Sequence, residues 1–172
     1  EKRKTGVLVL FTSYYMLNTV YNSAKYQLSS QGYKALAQGK DGSRTKLINI
    51  LKKEKKVVLF AADSFWEGVD VPGDALETVI ITKLPFAVPS DPVIAAKMDE
   101  ITKNGGNPFM DYSVPEAVIK FRQGFGRLIR TMTDSGIIYV TDNRLVKKRY
   151  GSVFLDSLPL KADIFSSEKG FY

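Results

Sequence analysis

Val7-Leu8-Val9-Leu10-Phe11 is a continuous apolar run, and its reading decides the fold. A strand with one face in water alternates apolar and polar residues. A run without such breaks belongs to a strand buried on both faces, as in a parallel sheet covered by helices. The run ends in Thr12-Ser13-Tyr14, and a helical stretch follows to about Ser30. The same alternation continues outward. Tyr33 to Ala37 reads as a second strand, and Gly39 to Gly42 as a turn. Ser43 caps a helix with Leu47, Ile48 and Leu51 on one face. Val57 to Ala61, Thr78 to Thr82 and Gly136 to Val140 read as further strands with helical patterns between them. Alternating β and α with short buried strands predicts a three-layer α/β/α domain on a parallel sheet. Ligands of such folds bind beyond the carboxyl ends of the strands. That puts Thr12 to Tyr15, Ala62 to Gly73 and Leu84 to Pro92 on the functional rim. Residues 161–172 lack periodicity and read as a tail or surface extension.

The 172 residues suit one domain. The chain has no cysteine and no histidine. Disulfides, thiolate catalysis and cysteine-ligated metals or clusters are thereby excluded within it, and so is an imidazole base. Chemistry must run on Arg, Lys, Asp, Glu and backbone groups. No apolar run approaches the ~20 residues of a membrane span, and the start at Glu1-Lys2-Arg3-Lys4 shows no signal peptide. A net charge of +7 favours polyanionic partners, with a merely solubilising surface as the alternative. The runs Lys52-Lys53-Glu54-Lys55-Lys56 and Lys147-Lys148-Arg149 read as solvated helix ends, where cations suit the dipole.

No Gly-x-x-x-x-Gly-Lys-[Ser/Thr] phosphate loop occurs, nor a strand ending in paired acids for magnesium. The chain alone is therefore not expected to bind ATP tightly. The chemistry concentrates in a helix expected from Ser113, where Ser113-Val114-Pro115-Glu116 has the form of a capping box. On a wheel of ~100° steps, Val114, Val118, Phe121, Phe125, Leu128 and Ile129 share the face toward the sheet. Gln123, Arg127 and Arg130 share the opposite one, bordered by Gly126. Gly124 and Gly126 together cost a helix interior roughly 2 kcal/mol relative to alanine. Close approach of a backbone or ligand would account for them. Two guanidiniums on one face can clamp phosphate oxygens; a plain solvated face is the competing reading.

Gln123-Gly124-Phe125-Gly126-Arg127-Leu128-Ile129-Arg130 resembles motif VI of superfamily 2 helicases, in the form typical of the DinG/XPD branch. Ser64-Phe65-Trp66-Glu67-Gly68-Val69-Asp70-Val71-Pro72-Gly73 is similar to motif V of that branch. Leu10-Phe11-Thr12-Ser13-Tyr14 resembles its motif IV, and Lys83-Leu84-Pro85-Phe86 with Pro89, Asp91 and Pro92 its Leu-Pro-Phe loop. The four stand in order over about residues 6 to 160. The resemblance implies a RecA-like, P-loop-NTPase-like domain over residues 1–160, without its own phosphate loop, followed by the tail at 161–172. It implies the C-terminal motor half of an ATP-dependent DNA helicase, moving 5′ to 3′ if it follows its family. ATP and Mg²⁺ would be held mainly by an N-terminal RecA-like domain of the same polypeptide. Any iron–sulfur cluster would belong there too.

Carried over by position, Arg127 and Arg130 correspond to arginine fingers that reach that ATP, and Gln123 to a contact with phosphate or the attacking water. Glu67, Gly68, Asp70 and Gly126 fall on the nucleotide side and link nucleotide state to DNA grip; a loop cap is the alternative for Asp70. Ser13, Tyr14, Ser64 and Trp66 fall near single-stranded DNA, the hydroxyls suiting phosphates and the rings suiting bases. Trp66 taken alone would more often be core. No metal ligand and no membrane contact are expected. The location would be cytoplasmic and nucleoid-associated in a bacterium, nuclear in a eukaryote. A non-catalytic nucleic-acid-binding module that kept the fold is the alternative, and it would not need the Gln-x-x-Gly-Arg-x-x-Arg face. A stand-alone α/β enzyme for a small phosphorylated substrate is disfavoured by the missing phosphate loop.

Overall fold

The computed structural model describes residues 6–66, 76–128, 136–159 and 163. Five strands form one sheet: β1 (Gly6–Phe11), β2 (Lys34–Ala37), β3 (Val57–Ala62), β4 (Thr78–Ile81) and β5 (Ile137–Val140), in the order β2-β3-β1-β4-β5. All four pairings are parallel. Each strand predicted from the apolar runs is present, and β1 stands at the centre, as a strand without polar breaks should. Its register is Gly6 opposite Val57 on one side and Val7 opposite Thr78 on the other.

The helices are α1 (Tyr14–Ser30), α2 (Arg44–Lys53), α3 (Pro92–Lys103), α4 (Val114–Phe125), α5 (Arg144–Lys147) and α6 (Gly151–Asp156). Their starts follow local chemistry. Ser13 and Ser43 accept the Met16 and Lys46 N–H groups at the heads of α1 and α2. Asp91 accepts from Val93 and Ile94 at the head of α3, with Pro92 in the first turn. The expected capping box at Ser113 does not form. A π-helical turn, Phe109–Ser113, runs directly into α4, so Ser113 already has helical dihedrals and its side chain makes no cap bond. Asn107 and Asp111 secure the head of that turn instead. Asn107 accepts from the Phe109 and Met110 N–H groups, and Asp111 accepts from that of Asn107.

Alternate residues of β1 to β4 feed two cores, while β5 gives Ile138 and Val140 to the first and leaves Ile137 and Tyr139 exposed. Leu8, Leu10, Leu59, Ala61, Val79 and Ile81 meet Leu47 and Leu51 of α2, Phe121 of α4 and Phe154 of α6. Val9, Phe11, Val58, Phe60 and Ala62 meet Leu17, Val20, Tyr21, Ala24 and Leu28 of α1. On α4 the buried stripe is Val114, Ala117, Phe121 and Gly124, which fits the predicted face at its start and departs from it near its end.

Candidate nucleic-acid and nucleotide interface

The carboxyl ends of β1, β3 and β4 form the rim, with the end of β2 beside them. Above β1, Ser13 caps α1, Tyr14 is 43% exposed and Tyr15 is 78% exposed. Above β3, a short 3-10 turn, Asp63–Phe65, leads into Trp66. Above β2, Gln38 turns its amide back over the sheet. Its Oε1 accepts the Ala62 N–H at 2.8 Å, and its Nε2 donates to Tyr14 Oη at 2.6 Å and Ser64 Oγ at 3.2 Å. The turn after Gln38 is held by Asp41, whose Oδ2 accepts the Ala37 N–H at 2.7 Å and the Tyr21 hydroxyl at 3.2 Å. Burial pushes the Tyr21 phenol up, and the Asp41 carboxylate beside it pushes the same way.

Trp66 does not face the rim as a stacking ring. It is 1% exposed, and its indole N–H donates to the Phe11 carbonyl at 2.8 Å. The ring lies against Gly124, where an added Cβ would stand 2.8 Å from Cζ3 and 3.0 Å from Cε3. The glycine in α4 thus answers to an indole of its own chain. An indole enclosed this way has no face for a base; among the described residues the rings open at this rim are Tyr15 and, less so, Tyr14.

Arg127 and Gln123 do not share an exposed helical face. Gln123 is exposed, but α4 ends at Phe125 with Gly126 as its cap, and the wheel stops there. Arg127 is half-buried, its guanidinium turned inward to donate from Nη2 to the Trp66 carbonyl at 2.6 Å. Arg127 is therefore tied into this fold, and Arg127→Ala is expected to cost stability as well as any role toward a phosphate. Arg130, Glu67, Gly68 and Asp70, and the tail except Asp163, lie outside the described residues.

What the structure does join is the head of motif IV, motif V and motif VI. Phe11 binds the Trp66 ring, the Trp66 carbonyl binds Arg127, and Gly124 admits the ring between them. Sequence patterning missed Gln38, a lone amide at a strand end. It also missed the far side of the rim, where Asp142 follows β5. That side chain is 6% exposed and accepts the Leu84 N–H at 2.9 Å and a two-pronged bond from Arg144, at 2.6 Å from Nη2. Burial alone would raise the Asp142 carboxyl, but the bonds from Arg144 and Leu84 outweigh it and hold it below the usual carboxylate range. The same pair raises the Arg144 guanidinium. Phe86 of the Leu-Pro-Phe loop is pinned by Phe109, Tyr150 and Phe154, with ring centroids 5.6–5.8 Å apart. Leu84, Phe86, Asp142 and Arg144 line a cavity of about 520 Å³ with Thr12, Thr82 and Thr141. It lies where the connections after β1 and β4 depart in opposite directions, as ligand crevices of such sheets do. Among the described residues no group of three or more acids forms a metal site.

The helicase C-terminal domain model matches residues 1–161. The chain belongs to that family. The domain is 46% identical over 160 residues to the "3'-5' exonuclease DinG" of Bacillus subtilis, covering 92% of this chain and 17% of that protein. It is 47% identical over 159 residues to the "ATP-dependent DNA helicase YoaA" of Haemophilus influenzae, covering 92% of this chain and 24% of that one. This chain thus spans about a fifth of the length of the curated relatives it matches. Among solved structures it is similar to one titled "XPD_Helicase", with TM-score 0.67, 20% identity and coverage of 91% of this chain and 28% of that one. That likeness places the domain in the RecA-like α/β fold.

Proposed function

We propose that this domain is the C-terminal motor half of an ATP-dependent DNA helicase of the DinG/XPD type. In this reading it supplies cationic groups to an ATP held by a partner RecA-like domain and contacts single-stranded DNA along its rim. The observation that carries this is the continuous tie from the end of β1 through Trp66 to Arg127. It gives a fixed path between a rim bearing hydroxyls and an open tyrosine and an arginine suited to phosphate. ATP with Mg²⁺ supplies the phosphoryl-transfer energy when bound to the partner domain. Arg127 would then exchange a main-chain carbonyl for a phosphate oxygen, Arg130 would add a second positive charge, and exposed Gln123 would offer a neutral amide to phosphate or water. Because Trp66 also fixes the Phe11 end of β1, loss of the Arg127 bond is felt at Ser13 and Tyr14. DNA as substrate places the protein in the nucleoid of a bacterium or the nucleus of a eukaryote.

The test is made in the full-length protein. Arg130→Ala and Arg127→Lys are each expected to cut DNA-stimulated ATP turnover by roughly 10³-fold, the scale of an arginine finger. Lysine at 127 keeps charge without the planar fork. This 172-residue chain alone is expected to hydrolyse no ATP. Turnover that survives both substitutions removes the finger roles, and DNA binding by a full-length protein that turns over no ATP favours the non-catalytic nucleic-acid-binding module instead.

A further inference from the structure

Gln38 lies outside every motif named above, yet it joins two of them. Its amide has one acceptor and two donor hydrogens. The Ala62 N–H at 2.8 Å must meet the oxygen, which fixes the amide's orientation. Both Nε2 hydrogens are then committed, to Tyr14 Oη at 2.6 Å and Ser64 Oγ at 3.2 Å. Each hydroxyl oxygen accepts from the amide, so its own hydrogen must point elsewhere. Tyr14 and Ser64 are both exposed, and the outward direction is solvent.

We infer that Gln38 is a positioning residue that sets the Tyr14 and Ser64 hydroxyls as a pair of outward donors to one phosphate of a single-stranded DNA backbone. The inference rests on the proposed function for the choice of ligand and adds the residue that prepares the contact. A neutral donor pair suits a phosphodiester: it offers hydrogens to anionic oxygens and reads no base. An amide is the right orienting group because a carboxylate in its place would accept from both hydroxyls and turn their hydrogens inward.

Gln38→Glu tests this with little change of shape. Its oxygen still accepts the Ala62 N–H, so thermal unfolding should stay near that of the unchanged chain. Binding of a labelled oligo(dT) to the full chain, followed by fluorescence anisotropy, should weaken about tenfold or more, the size of a hydrogen bond to a charged group. Gln38→Ala leaves the hydroxyls undirected and should weaken binding a few-fold, with the salt slope, which cations set, unchanged. Tyr14→Phe should weaken binding in the unchanged chain but not in the Gln38→Glu background, where the Tyr14 hydrogen is already turned in. Variants that bind as tightly as the unchanged chain overturn the inference. So does a Tyr14→Phe effect of equal size in both backgrounds, which marks the glutamate as plain charge repulsion. An unchanged chain that fails to bind oligo(dT) in dilute buffer instead overturns the DNA reading of this rim.

Discussion

The two halves of the rim use polar side chains in opposite ways. Over β4 and β5 the polar groups are spent on the fold itself. Asp142 is enclosed, satisfies the Leu84 N–H and grips Arg144, while Arg144 lies over the Phe86 ring with 5.4 Å from Cζ to centroid. Over β1, β2 and β3, Gln38 donates to both the Tyr14 and the Ser64 hydroxyl without a formal charge, which leaves the hydroxyl hydrogens free to turn toward solvent. A charge neutralised by its own chain holds a loop in place. Donors that remain outward are available to something else. The Asp142–Arg144 pair is thus framework, and the uncharged set of Tyr14, Gln38 and Ser64 is the better candidate for contact.

Substitutions on the locked half should be felt as stability. Asp142→Ala is expected to cost about 2–3 kcal/mol in denaturant unfolding, because the enclosed Leu84 N–H and the Arg144 guanidinium lose their acceptor together. Asp142→Asn should cost less, since one oxygen remains for Leu84. The tie behind the open half should break next. Gly124→Ala drives a methyl into the Trp66 ring and should destabilise by about 1–3 kcal/mol. Adding Trp66→Leu should relieve much of that clash, so the double variant should lose less than the sum. Smaller still is an acid effect. The Asp142 carboxyl is lowered in the folded state. Its contribution is therefore complete above the ordinary carboxylate pKa of about 3.9 and is lost as pH falls through the lower folded value. Denaturant midpoints should fall in that acidic window, and less steeply for Asp142→Asn. Tyr14→Phe should be the mildest for folding, within about 0.5 kcal/mol. Its effect should appear in DNA binding alone, and a matching loss of stability would erase the contrast between the halves.

The same contrast explains what the sequence made legible. Buried strands announce themselves through runs such as Val57 to Ala61, because every position must be apolar when both faces are covered. Serine and aspartate caps at Ser13, Ser43 and Asp91 are local chemistry and were readable for that reason. Ser113 fitted the same pattern, yet a π-helical turn before it left no free helix end to cap. At the site, the wheel carried Arg127 past the point where α4 stops. Nothing local says that Gly124 is there for Trp66, since the two are far apart in sequence and meet only on the folded sheet. Gln38 was silent because one amide after a short strand has no pattern. Its meaning lies in Ala62, Tyr14 and Ser64, which the topology supplies.

The central position of β1 also bears on how the chain is made. Its two hydrogen-bonded neighbours are β3, beginning at Val57, and β4, beginning at Thr78. During synthesis β1 therefore waits for about fifty residues before it gains either of these neighbours, and for about seventy before both are in place. Parallel pairing over such separations is slow, because loop closure must precede any contact that rewards it. In the interval Val7 to Phe11 is an apolar segment with both edges open, the kind of segment that pairs with other copies. Nascent chains stalled before Val57 should be aggregation-prone, and those stalled after β4 should resist protease at β1.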